Sequence, residues 1–276
     1  MKTLYVTDLD GTLLNKNDQI STYSLEVINA LIDKGMDFTF ATARSLVSAS
    51  TVIKGLTTNI PVIVYNGSFL MNAETGEILS SSSFTKAEKQ YMKGRLKELG
   101  ISPIVYSFVN GVESVSWVSN KMNEGKKHYF SNRKGDKRLR PLEDEEKLYE
   151  GDVFYLTCIG EKEELLPLYD AFKDQEAYRC TLQQELYREE YWCEIMPKNA
   201  TKANAVVKLK ELLQCDRVVS FGDAVNDLPM FRISEECYAV ANAVEELKKE
   251  ATHIIGSNEE DGVAKWLVSN VLFIEE

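Results

Sequence analysis

The chain opens on a short apolar run, Leu4–Thr7, followed at once by Asp8. A run of that length, bounded by polar residues, predicts a buried strand. Ser21 or Thr22 then precedes apolar residues at Leu25, Ile28, Leu31 and Ile32, which is helical spacing, and Gly35 supplies the stop. Phe38–Ala41 reads as a second strand, Leu46–Lys54 as a helix and Pro61–Tyr65 as a third strand. Strands alternating with helices predict βαβ units and a parallel sheet.

The rhythm changes after Tyr65. Asn66-Gly67 and Glu74-Thr75-Gly76 are turn signals beside short strands at Phe69–Met71 and Ile78–Leu79, and Ser80–Ser83 reads as a linker. Thr85 and Glu88 have capping-box spacing for a helix that ends at Gly100. Beyond it, strand-like Ile104–Phe108, Val112–Val118 and Val153–Cys158 mix with a helix over Glu161–Phe172, without regular alternation. Alternation returns near Trp192, with a helix at Thr201–Leu213, a strand at Arg217–Phe221 and a helix start at Asn226–Arg232. Tyr238–Ala241, Val244–Lys249, His253–Ile255 and a closing helix near Gly262–Val268 continue it. The expected architecture is α/β: residues 1–82 and 191–276 build one parallel-sheet domain, and residues 83–190 form an inserted α+β module.

With 276 residues and 44% hydrophobic content, the chain can bury a sizeable core. Its formal net charge of −11 repels nucleic acid and anionic membrane, so neither is an expected partner. A phosphorylated ligand would need local cations, a metal among them. The 5 cysteines stand far apart with no C-x-x-C pair, which reads as reduced thiols and not a disulfide frame or zinc site. The first residues carry no secretory pattern, and no stretch approaches the ~20 apolar residues that cross a bilayer. A cytoplasmic location is expected, and no obligate protein partner is legible.

Four segments carry chemistry. Asp8-Leu9-Asp10-Gly11-Thr12 stands at the carboxyl end of the first strand, where open α/β sheets bind ligands. Residues two apart on extended backbone point the same way, so Asp8 and Asp10 can enter one cleft, with Gly11 permitting a sharp turn. Two such charges need a cation between them, or one must hold a proton. Both options suit phosphoryl transfer, and a solvated turn is the plain alternative. Gly222-Asp223-Ala224-Val225-Asn226-Asp227 follows another strand; Asp223 and Asp227 would share a helical face, unless Asp223 is merely a helix cap. Thr42-Ala43-Arg44 ends the second strand with a hydroxyl, backbone N–H groups and a guanidinium that can hold phosphate oxygens. Lys198 and Lys202 flank a helix start, where the dipole disfavours a cation unless an anion partners it.

Together, and in this order, the four segments resemble the motifs of the haloacid dehalogenase superfamily, and the layout is similar to its Cof-type branch with a large α/β cap (type C2/IIB). Asn66-Gly67 and Glu194-Ile195-x-Pro197 are similar to that branch as well. The resemblance implies a Mg²⁺-dependent phosphatase of small phosphorylated metabolites, with the inserted module as a cap that sets the substrate. It implies Asp8 as nucleophile, Asp10 as general acid/base, and Lys202 rather than Lys198 as the lysine that neutralises Asp8 and phosphate. Thr42, Ala43, Arg44 and Asn226 are implied at the phosphate or substrate. Asp8, Asp10 (through its carbonyl), Asp223 and Asp227 are implied at the metal, Asp223 more directly than Asp227. Ala43 departs from the glycine common at its position and could crowd the phosphate loop. A phosphomutase or phosphotransferase of the same superfamily, or a non-catalytic sensor, is the alternative. His128 and His253 receive no role.

Overall fold

The computed structural model describes residues 1–185 and 188–271. Along the chain come β1 (Thr3–Thr7), α1 (Thr22–Asp33), β2 (Asp37–Phe40), α2 (Leu46–Val52), β3 (Val62–Val64), β4 (Phe69–Met71) and β5 (Ile78–Ser81). They are followed by α3 (Lys86–Glu98), β6 (Ile104–Val109), β7 (Val112–Val118), α4 (Glu124–Ser131), β8 (Leu139–Leu142), β9 (Asp152–Gly160), α5 (Lys162–Phe172), β10 (Tyr178–Gln184) and β11 (Tyr191–Pro197). The last stretch holds α6 (Lys202–Leu212), β12 (Arg217–Gly222), α7 (Leu228–Phe231), β13 (Glu236–Val240), α8 (Glu245–Glu250), β14 (His253–Ile255) and α9 (Gly262–Asn270). They form two compact units, one of Met1–Ser81 with the chain from Ala200 onward, the other of Ser82–Asn199.

In the first unit the described strands form a parallel sheet in the order β14-β13-β12-β1-β2. β1 lies inside the sheet, between β12 and β2, and its Leu4 and Val6 are fully buried, as expected of an apolar run covered on both faces. The register sets Thr7 against both Phe221 and Phe40, so Asp8, the residues after Ala41 and those after Gly222 leave the sheet at one edge. Ala41 makes a single parallel bridge to Ile63, which brings the antiparallel β3-β4-β5 hairpin set beside β2. Ser21 caps α1 by accepting the Ser24 N–H, the role its hydroxyl suits.

The second unit is a sheet in the order β10-β11-β9-β6-β7-β8, antiparallel except for the β7–β8 pair. Side chains alternate across it. Val105, Leu156, Cys193 and Ile195 pack with Met92 and Leu96 of α3 and Leu165, Leu168 and Phe172 of α5. Ile104, Val115 and Ile159 face the other way, with Tyr129 and Phe130 of α4.

Two readings of the sequence are corrected here. The return to the first unit falls at Ala200, not near residue 191, because β11 pairs along its length with β10 and β9 and so belongs to the second sheet. Ser80 and Ser81 belong to β5 and pair with Leu70 and Phe69; they are not linker. Three of the basic residues between Lys126 and Arg140 are engaged within the second unit. Lys126 is buried against the carbonyls of Ser102 and Lys121, Arg138 pairs with Glu113 and Asp136, and Arg140 pairs with Glu150. The cysteines are free thiols. Among the described residues no helix is long and apolar enough to cross a membrane.

Candidate active site

Asp8 follows β1 directly and is 5% exposed. Its backbone N–H continues the sheet ladder onto the Phe221 carbonyl, which fixes where the side chain starts. The chain then makes a tight turn over Leu9–Leu13, with Gly11 at φ 77°. That sign of φ costs glycine little. A side chain at Gly11 would also collide with the Asp223 carboxylate, so the position needs glycine twice over.

Lys202, at the start of α6, reaches into the sheet edge and is 1% exposed. Its ammonium donates to Asp8 Oδ1 at 2.5 Å and to Asp227 Oδ1 at 2.7 Å. Lys198 is exposed, which settles which of the two lysines meets Asp8. Asp227 has no exposed surface, and its Oδ2 accepts the N–H groups of Asp223 and Ala224, each at 3.1 Å. Asp223 and Asp227 therefore do not share the face of a regular helix. Asp227 lies in a short 3₁₀ turn that folds its carboxylate back onto the start of the loop. Asp223 accepts from the Thr12 hydroxyl at 3.0 Å, and its carboxyl also meets that of Asp8.

One oxygen from each of Asp8, Asp223 and Asp227 lies within 4.8 Å of the others. Three carboxylates against the single ammonium of Lys202 leave two negative charges unbalanced. Burial pushes the Asp8 carboxyl up to about 7; Lys202 opposes the shift, and Asp227 and Asp223 reinforce it. Asp223 moves in the same direction, again chiefly through burial. For Lys202, burial disfavours the ammonium, but the two carboxylates outweigh it and its pKa rises. Hard oxygen donors with an excess of negative charge fit a divalent cation. Both oxygens of Asp227 already serve protein donors, so Asp8 and Asp223 have the carboxylate oxygens left for it.

Asp10 stands apart from this cluster. Its carboxylate receives the Arg44 Nε at 2.9 and 3.0 Å and an Arg44 terminal nitrogen at 2.5 Å. The same terminal nitrogen lies 3.3 Å from Asp18. Arg44, read from sequence as a phosphate ligand, thus spends much of its guanidinium on the acid beside it. Thr42 is fully buried; its Oγ accepts the Arg44 N–H at 3.1 Å, leaving its own proton to donate. Ala43 is exposed, so its methyl group does not fill the loop. Asn226 is exposed and donates its side-chain N–H to Asn66 Oδ1 at 3.2 Å.

Sequence reasoning did not single out Thr12, Asp18 or Asn66 as site residues. Thr12 closes the first motif and Asp18 follows it, but their partners, Asp223 and Arg44, are distant in sequence and only the fold brings them close.

A family model for haloacid dehalogenase-like hydrolases matches residues 5–267. The 5-amino-6-(5-phospho-D-ribitylamino)uracil phosphatase YwtE of Bacillus subtilis is 25% identical over 94% of this chain and 95% of its own. The crystal structure of TM0651 from Thermotoga maritima superposes with a TM-score of 0.77, at 28% identity and 99% coverage of both chains. The subclass IIB sugar phosphatase BT4131 shares the fold, with a TM-score of 0.68 at 20% identity over 98% of each chain. With a match over nearly the whole chain and these motifs at one sheet edge, the chain belongs to the haloacid dehalogenase-like hydrolases.

Proposed function

We propose that this protein is a Mg²⁺-dependent phosphatase of small phosphate monoesters, sugar phosphates or similar metabolites, acting through an aspartyl phosphate on Asp8. The observation that carries the reading is Asp8 itself, buried at a strand end with an ammonium on one oxygen and the other left for chemistry. The names of relatives such as YwtE support the reaction class.

Asp8 attacks phosphorus in line and splits one difficult hydrolysis into two easier displacements. Lys202 offsets the repulsion between the carboxylate and the anionic ester, and holds the oxygen of Asp8 that does not attack. Thr42 and Asn226 donate to the phosphoryl oxygens. Asp10 protonates the leaving oxygen, then takes a proton from the water that cleaves the aspartyl phosphate. Asp223 and Asp8, with the Asp10 carbonyl, would hold Mg²⁺, which when bound supplies charge neutralisation at the phosphoryl group. Asp227 keeps Lys202 and the 223–224 backbone in place.

The test is phosphate release from a panel of phosphorylated metabolites, 5-amino-6-(5-phospho-D-ribitylamino)uracil among them, with and without Mg²⁺. Release that needs Mg²⁺ and vanishes in Asp8→Asn is the expected outcome. Equal turnover by Asp8→Asn, or by the protein in chelator, would sink the proposal.

A further inference from the structure

Beside the charged cluster lies a turn whose backbone is unusual. Tyr65 and Asn66 have φ of 52° and 53°, and Gly67 has φ of 94°. Such values are uncommon for residues with a Cβ, least so for asparagine, and for a bulky tyrosine they mark a conformation that its surroundings enforce. The surroundings here are the other segments of the site. The Tyr65 N–H donates to the Arg44 carbonyl at 2.9 Å and the Asn66 N–H to the Thr42 carbonyl at 2.8 Å. Gly67 lies so close to the first turn of α6 that a methyl group would overlap the Thr201 carbonyl, one residue before Lys202. The Asn66 side chain, as described above, accepts from Asn226.

We infer that Asn66 is a positioning residue that holds the Asn226 carboxamide for the phosphoryl group, and that the Tyr65–Gly67 turn ties the Thr42 loop, the Lys202 helix and the Asn226 loop into one phosphate-binding frame. The inference rests on the phosphatase reading above. Asn226 is exposed and sits in a 3₁₀ turn of three residues, Val225–Asp227, so little else restrains its side chain. Asn66 suits the task twice: asparagine accepts the left-handed conformation better than most residues, and its carboxamide reaches across to the other loop. An alanine would lose both properties, whereas a glycine would lose only the second.

That difference defines the experiment. Binding of inorganic phosphate is measured by calorimetry with Mg²⁺ present, alongside kcat and KM for an aryl phosphate, in the wild type, Asn66→Gly, Asn226→Ala and the double variant. Asn66→Gly is expected to weaken phosphate binding by about three- to tenfold, the scale of one lost positioning hydrogen bond, with its melting temperature unchanged. In the Asn226→Ala background the same change is expected to have no further effect, because the group it positions is gone. Asn66→Ala, which adds backbone strain, is expected to lower the melting temperature as well. Equal weakening in both backgrounds, or unchanged phosphate affinity in Asn66→Gly, would overturn the inference while leaving the phosphatase reading standing. A wild type that neither binds phosphate nor releases it from any ester would remove that reading and the inference with it.

Discussion

Replacing Asp8 by asparagine in the metal-free protein should change the pH dependence of stability in a definite direction. Burial holds the Asp8 carboxyl at about 7 in the fold, against an ordinary aspartate value of 3.8. The folded state therefore binds the proton more tightly than the unfolded chain does. This group's contribution is fully present below the unfolded value and is lost as pH rises toward the folded one. Between pH 5 and pH 8 the linkage relation gives a loss of about 3 kcal/mol from this residue alone. Asparagine does not titrate, so Asp8→Asn should lack that part of the slope and should exceed the wild type in stability at pH 8, although it forgoes the pairing with Lys202. The assay is urea denaturation in chelator at several pH values from 5 to 8, comparing midpoints of the two proteins. Mg²⁺ should then raise the wild-type midpoint at pH 8 more than that of the variant. Parallel pH curves for the two proteins, or a variant less stable at pH 8, would refute the claim that Asp8 carries uncompensated buried charge.

Lys202→Met removes the ammonium and leaves Asp8 and Asp227 facing each other, so it should cost about 3–5 kcal/mol, read by urea denaturation at neutral pH, and abolish phosphatase turnover. Arg44→Ala removes a partly exposed pair, so stability should fall by no more than about 1 kcal/mol. Its effect on turnover should be larger for alkyl phosphates, which need protonation by Asp10 to leave, than for an aryl phosphate with an acidic leaving group; equal losses on both would count against Arg44 as the residue that orients Asp10.

The parts of this molecule that were readable from sequence are those where local pattern and burial agree. The run Leu4–Thr7 could only be an interior strand, and an aspartate at its end had to emerge at a sheet edge. The Thr85–Glu88 capping box is present as spaced. What escaped depends on partners distant in the chain. β11 resembles a core strand in composition, and only its pairing with β9 and β10 assigns it to the second unit. Residues Glu124–Ser131 have a weak apolar face, and their helix is held by Tyr129 against the sheet. The four-residue spacing of Asp223 and Asp227 suits a regular helix, but a 3₁₀ turn lets Asp227 cap the backbone it follows. Arg44 looked like a free cation because Asp10 and Asp18 lie in a different loop.

The central claim is that phosphate passes through Asp8. Rapid acid quench of the protein during turnover with Mg²⁺, followed by peptide mapping by mass spectrometry, tests it most directly. The account predicts a phosphoryl group on the peptide that contains Asp8, accumulating when Asp10→Asn slows its hydrolysis and missing from Asp8→Asn. Phosphate found on another residue, or full turnover by Asp8→Asn with no phosphoenzyme, would contradict it.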